Sequence, residues 1–301
     1  MSAPEVAARS HPGLVRAHNE DTLVCAPDRG LFAVIDGMGG EAAGEVAAAL
    51  VREHLLAWEP DATTLREALH EANEAILARV AAEPGLRGMG CVVTAVRVEG
   101  RGLQVAHAGD TRAYLARGRG VQQLTRDHTV VAAERERLGL TEAEGKALPG
   151  QHRVTRDLGG QHHADASWID TAQAPFEQDD LLLLCSDGLH DLVADEDLLA
   201  LLREARTSGR PMDSLADALV DLALARGGSD NVTVVCVRAL ADAPPAPPVP
   251  GSGRLPAWVP PAWVLSLGAA ALVGAILGRG CAPTGPAAPS GPPPQEAPAP
   301  A

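Results

Sequence analysis

The chain has 301 residues, 46% hydrophobic and 21% charged, which is apolar enough for a large folded core and too apolar for a disordered protein. Lys and Arg number 25 against 39 Asp and Glu, a formal charge of −14, and aromatic residues make up 2%. Such a surface repels phosphate backbones and lacks stacking platforms, which argues against nucleic acid as a partner. Any phosphate chemistry must use a local positive device, a metal ion or an arginine, set against the global field.

In chain order, the opening MSAPEVAARSHPG lacks the basic region and apolar stretch of a signal peptide, so synthesis in the cytosol is expected. Period-2 and short apolar runs predict strands over 23–27, 31–35, 91–98, 102–108, 111–117, 181–185 and 232–238. Two long helices fall between the second and third of these. Val46, Leu50, His54 and Trp58 repeat every four residues in the first, and Leu65, Leu69, Ala72, Ile76 and Val80 form a stripe in the second; both stripes are expected to be core faces. Further helices are predicted near 128–138, 195–205 and 213–226. Strands joined by short turns, with the helices in blocks, point to layered antiparallel sheets with helices outside. Cys25, Cys91, Cys185, Cys236 and Cys281 show no paired spacing and are read as small buried hydrophobes of a reducing compartment.

Composition changes near Ala241, where ADAPPAPPVPGSG has the character of a semi-rigid extended linker. The folded domain is therefore expected at 1–241 and the linker at 242–257. Trp258 to Gly278 carries no charged residue, and a helix of that length spans about 30 Å, a hydrocarbon core. Pro260 and Pro261 suit a helix start, Trp258 and Trp263 an interfacial belt, and Arg254 and Arg279 the flanks. A single transmembrane helix over 258–279 is expected, with a Gly/Ala-rich low-complexity segment as the alternative. The Pro/Ala-rich tail at 280–301 is expected to be disordered.

The aspartates carry the chemical signal. LFAVI runs into Asp36-Gly37-Met38-Gly39-Gly40, LQVAHAG into Asp110 and LLLLCS into Asp187-Gly188, while Asp230-Asn231 opens VTVVCV. Singly, each Asp-Gly is a turn signal. Together, four carboxylates at the ends of stacked strands would repel one another unless cations neutralise them. Oxygen-only clusters suit Mg²⁺ or Mn²⁺, and no CxxC or HExxH spacing suggests zinc. Ahead of the first long strand stands Arg16-Ala17-His18-Asn19-Glu20-Asp21. Arg16 offers a planar fork for a phosphate monoester, and Glu20 and Asp21 could hold metal-bound waters; from composition alone, a mixed-charge loop is more often ordinary solvated surface.

The ordered series RAHNED (16–21), DGMGG (36–40) with AAGE (42–45), HAGDTRAY (107–114), LTRDHT (124–129), CSDGLHD (185–191) and GGSDNVTVV (227–235) resembles the motif series of the bacterial PPM/PP2C metal-dependent Ser/Thr protein phosphatases over about residues 5–240. The resemblance implies an α+β fold, a four-layer α-β-β-α sandwich of two antiparallel sheets flanked by helices. It implies two Mn²⁺ or Mg²⁺ ions on Asp36, the Gly37 carbonyl, Asp187 and Asp230, with Asp36 bridging, and a third, weaker site on Asp110 with Asp187. Arg16 matches the phosphate-binding arginine, and Glu20 and Asp21 match the outer-shell carboxylates. A water whose pKa the metals lower would attack phosphorus in line, with no covalent enzyme intermediate. Phosphorylated proteins would be the substrates, with a Ser/Thr kinase as opponent, and the enzyme domain would face the cytoplasm. Met38 stands where animal members have a histidine proposed as general acid, while Glu41, Cys91, Thr111 and Asp157 also depart from common family residues; none removes a metal ligand. Residues 127–160 match the family's variable flap.

Rival readings can be stated as sharply. Cys91 and Arg97 have the CxxxxxR spacing of cysteine-dependent phosphatases, but the intervening VVTAV is strand-like, which separates thiol and guanidinium by about 20 Å. A pseudophosphatase that binds phosphoproteins without cleaving them would have lost metal ligands, and a stress-response phosphatase acting on anti-sigma antagonists is the nearer alternative within the superfamily.

Overall fold

The computed structural model describes residues 4–39, 43–141, 144–145, 148, 150 and 153–240. Ten strands, β1 (Glu5–His11), β2 (Asp21–Ala26), β3 (Leu31–Met38), β4 (Gly90–Glu99), β5 (Gly102–Ala108), β6 (Arg112–Arg117), β7 (Gly120–Gln123), β8 (Asp170–Pro175), β9 (Leu181–Cys185) and β10 (Val232–Arg238), form two five-stranded sheets. One sheet has the order β1-β10-β9-β6-β7 and the other β2-β3-β4-β5-β8, and neighbouring strands run antiparallel throughout.

Side-chain alternation makes the layers. In β9, the run LLLLC sends Leu181, Leu183 and Cys185 toward helices α5 (Asp195–Ser208) and α6 (Met212–Ala225). Leu182 and Leu184 face the other sheet, where they meet Phe32, Val34 and Val96. A strand covered on both faces has no polar side to show, which is why it reads as continuous leucine. On the far sheet, Ala33 and Ile35 of β3 and Val93 and Ala95 of β4 pack under α1 (Ala43–Ala57) and α2 (Leu65–Ala82). Three apolar interiors therefore separate four layers, helices, sheet, sheet and helices, as expected. Thr64 starts α2 with a reciprocal capping box, its hydroxyl accepting from Glu67 N at 3.2 Å while Glu67 accepts from Thr64 N at 2.7 Å.

The predicted strands are present with ends shifted by a few residues, and β1, β7 and β8 are additional. The fully buried face of α1 is Gly44, Ala47, Ala48, Val51 and Leu55; of the expected stripe, Trp58 is buried in the same core and Val46 and Leu50 pack half-buried against it, while His54 is half-buried. A strict four-residue repeat drifts about 40° per step around a helix of 3.6 residues per turn, and the small alanines let α1 lie close on β3. The expected helix near 128–138 is α3 (Val130–Leu138), capped by the Thr129 hydroxyl. No helix among the described residues is long and apolar enough to cross a membrane. The linker at 242–257, the span at 258–279 and the tail at 280–301 lie outside the described residues, as do Gly40 and Glu41.

Candidate active site

The predicted site residues lie on strand ends, a short helix and the loops between them. Asp21 opens β2 directly opposite Asp36 of β3, and Gly37 faces Cys91 of β4. Asp187 begins the one-turn helix α4 (Asp187–His190) just beyond β9, and Asp230 precedes β10. Asp110 lies between β5 and β6, its carbonyl accepting from buried His190 Nε2 at 3.0 Å. Gly37 N donates to the Glu20 carbonyl at 3.1 Å. A Cβ on Gly37 would sit 2.4 Å from the Gly44 carbonyl oxygen and 2.7 Å from that of Glu20, so only glycine lets the start of α1 and the Glu20 segment close on the end of β3.

Convergence of like charges dominates the electrostatics. Burial first, and then the charges of Asp21, Asp187, Asp110 and Asp230, raise the Asp36 carboxyl well above the usual carboxylate range. Burial, with Asp187 and Asp230, pushes Asp21 up to about 7, and burial with Asp187 does the same to Asp110. Ser186 Oγ donates to Asp21 Oδ2 at 2.7 Å, while Asp21 Oδ1 is buried without a hydrogen-bond partner among the described residues. An orphaned carboxylate oxygen inside a cluster of acids fits hard divalent cations. Among the described residues no group of three or more His, Cys, Asp or Glu side chains is arranged to hold an ion alone. The donor set suits an ion only when completed by a backbone oxygen such as that of Gly37, and by water.

Arg16 supplies the positive charge. Its Nη2 donates to Asp230 Oδ2 at 2.6 Å, and the charges of Asp187 and Glu20 also act on it. The loop presenting it is fastened by residues to which the sequence reading gave no role. Asn231 Nδ2 donates to the carbonyls of Pro12 and His18, both at 2.9 Å, and its Oδ1 accepts from Glu20 N at 2.8 Å. Asn19 Oδ1 accepts from Asp21 N at 3.2 Å, and Asn19 Nδ2 donates to Ser10 Oγ at 2.8 Å. Ser186 Oγ also accepts from Thr233 N at 2.9 Å, which ties β9 to β10 beneath the acids. Their signal was adjacency: each stands within two residues of a predicted site aspartate, in the same motif.

The expected flap is anchored at both feet. Isolated bridges join Thr129 to Val154 and Cys91 to Leu158, the second on the strand beside Gly37. Asp170 of β8 accepts from Arg156 Nη1 at 2.7 Å and lies 3.0 Å from His128 Nε2. Cys91 is fully buried and faces the α1–α2 layer, and burial, with Asp157 and Asp36, raises its thiol well above its ordinary pKa. Arg97 stands opposite Leu31 at the other end of β4 and lies over the Trp58 ring at 5.7 Å. A thiolate–arginine phosphate loop is therefore ruled out.

A four-layer sandwich with a rim of carboxylates and one arginine defines a class, and comparison with known proteins agrees with it. Residues 3–232 match the family model Protein phosphatase 2C. The chain is 40% identical over 235 residues to the Serine/threonine protein phosphatase PstP of Mycobacterium tuberculosis, covering 76% of this chain and 44% of that protein. It is 32% identical over 242 residues to the Serine/threonine phosphatase stp of Listeria monocytogenes, covering 76% and 93%. The crystal structure of the catalytic domain of PstP in complex with two manganese ions superposes with a TM-score of 0.69 at 37% identity, covering 79% of this chain and 99% of that one. The chain belongs to the protein phosphatase 2C family. It spans less than half the length of the mycobacterial relative.

Proposed function

We propose that this chain hydrolyses phosphoserine and phosphothreonine on proteins, using divalent metal ions and opposing Ser/Thr kinases. The observation carrying this reading is the convergence of Asp36, Asp187, Asp230, Asp110 and Asp21 with Arg16 at one end of the sandwich. Asp36, Asp187, Asp230 and the Gly37 carbonyl would hold two Mn²⁺ or Mg²⁺ ions, and Asp110 with Asp187 a third, while Glu20 and Asp21 would order the surrounding water. When bound, such ions supply a water deprotonated near neutral pH and positive charge for the phosphoryl oxygens. Arg16 keeps further N–H groups of its fork for a phosphate monoester while Asp230 orients it. Ser186 holds Asp21 in place, and Asn231 holds the Arg16 loop against the entry of β10. Met38 cannot donate a proton, so protonation of the departing serine or threonine oxygen falls to water or to another group.

The test is phosphate release from phosphothreonine peptides by the full chain with Mn²⁺. Asp187→Ala and Asp230→Ala should each remove nearly all turnover, whereas Cys91→Ser and Cys185→Ser should keep it. Loss of turnover in a folded, metal-loaded Cys91→Ser protein would overturn the reading.

We also propose that 1–241 is the enzyme domain, 242–257 a linker and 258–279 a single membrane span, with the enzyme domain in the cytoplasm. The support is the uncharged run from Trp258 to Gly278 between Arg254 and Arg279. The full chain should then sediment with membranes and resist carbonate extraction; recovery in the soluble fraction would return the segment to the low-complexity alternative and the enzyme to the cytoplasm.

A further inference from the structure

We propose that Leu14 and Val15 form a docking shelf for an apolar side chain flanking the phosphorylated residue of a protein substrate, so that the enzyme selects phosphosites by their hydrophobic neighbours. The inference rests on the phosphatase reading above and adds a substrate preference to it. Val15 is 71% and Leu14 64% exposed, ahead of every other large hydrophobic residue among those described. The two are consecutive and lead directly into Arg16, whose Nη2 lies 2.6 Å from Asp230 Oδ2 at the acidic site. The pair thus stands next in the chain to the arginine expected to meet a phosphoryl group.

The exposure is built into the fold. Gly13 has φ +80°, and a Cβ there would fall 2.2 Å from the Asp230 carbonyl oxygen, so the turn before Leu14 requires glycine. Leu14 N donates to the Gly228 carbonyl at 2.7 Å. Asn231 clamps the loop at Pro12 and His18, on either side of the pair. Leu14 lies over Gly228, where a Cβ would sit 3.0 Å from Leu14 Cγ and equally close to Leu224 Cδ2. A backbone pinned at three points holds two aliphatic side chains out to solvent beside the phosphate-binding arginine.

The occupant follows from reach and charge. Successive residues of an extended peptide advance about 3.3 Å, and adjacent Cα atoms here are about 3.8 Å apart. On this spacing, the side chain one or two residues from a phosphoresidue bound by Arg16 is the part of a substrate proposed to meet Val15 or Leu14. The net charge of −14 disfavours acidic flanks, and partly covering one aliphatic side chain gives about a three- to tenfold preference.

The experiment compares kcat/KM of the full chain with Mn²⁺ on matched phosphothreonine peptides carrying Leu, Ser or Glu at the flanking positions on each side. Wild type should prefer the Leu-flanked peptide about three- to tenfold over the Ser-flanked one. Val15→Ser should bring that ratio close to one, chiefly by raising KM for the Leu peptide, and Val15→Ile should retain the preference. Thermal unfolding confirms that the variants are folded, and Leu14→Ser gives a second reading of the same shelf. A wild-type ratio near one, or equal losses on all peptides in Val15→Ser, would overturn the shelf while leaving the phosphatase reading intact. Wild type that releases no phosphate from any peptide would overturn both. A change of oligomeric state in Val15→Ser, with the peptide ratio unchanged, would assign the shelf to a second copy of the chain and overturn the substrate proposal.

Discussion

The 2.6 Å contact between Arg16 Nη2 and Asp230 Oδ2 joins the expected phosphate-binding group to an expected metal ligand, and substitution can separate the two roles. Both partners are substantially exposed, so the pair adds little to folding. Arg16→Ala should lower kcat/KM on phosphopeptides about ten- to hundredfold, the scale of one charge-assisted hydrogen bond. Calorimetric Mn²⁺ affinity should change less than about threefold; its collapse would make Arg16 an organiser of the acidic cluster. A second single-residue effect comes from His107, buried in β5. Its Nδ1 lies 2.9 Å from Thr94 Oγ1, and its Nε2 donates to the Arg126 carbonyl at 3.0 Å. Burial, with His128 nearby, pushes its pKa down to about 4, against about 6.5 when unfolded. Because the folded value is depressed, the unfolded chain binds the proton more readily between these values. The associated stability, on the order of 3 kcal/mol, is present above about pH 6.5 and is lost as pH falls toward 4. Urea unfolding across that window should show the loss in wild type and a flatter curve in His107→Asn; equal slopes would exclude His107 as its source.

Elements differ in how much they owe to local sequence. At the start of the expected flap, buried Arg112 of β6 grips Asp127, with Nη2 2.6 Å and Nε 3.0 Å from the carboxylate. Burial works to raise Asp127, but the guanidinium prevails and holds it below the usual carboxylate range. Asp127→Ala should destabilise the fold by about 3–5 kcal/mol in chemical unfolding, because it removes the two-pronged carboxylate partner of a buried cation. The low end is expected, since Tyr114 Oη and Asp195 also lie near Arg112 Nη1; a loss under about 1 kcal/mol would show that these partners suffice. The strands legible in the sequence were those apolar on both faces or sharply bounded. The three missed strands, β1, β7 and β8, are all sheet edges, with one neighbour each and polar or small residues such as EVAARSH, GVQQ and DTAQAP. The acids were legible because aspartate at the end of an apolar run breaks the pattern around it. Asn231 and Ser186 were not, because a polar residue beside an Asp looks like ordinary turn chemistry until tertiary structure shows what it bonds.

At the scale of the whole molecule, the site exists only because the sheets are stacked. Arg16, Asp21 and Asp36 come from the start of the chain, Asp110 from its middle, and Asp187 and Asp230 from the end of the described residues. No single hairpin brings them together. Stacking also concentrates carboxylates in a molecule already carrying −14, so positive charge has to be supplied at the site. The central claim is that divalent cations answer this repulsion and that the chemistry depends on them. Its most direct test is phosphate release from a phosphothreonine peptide by the exhaustively chelated full chain during titration with Mn²⁺. Turnover should be undetectable at the outset, rise and saturate with Mn²⁺, and stay absent throughout for Asp36→Asn. Turnover that persists in the chelated wild-type protein would contradict the account.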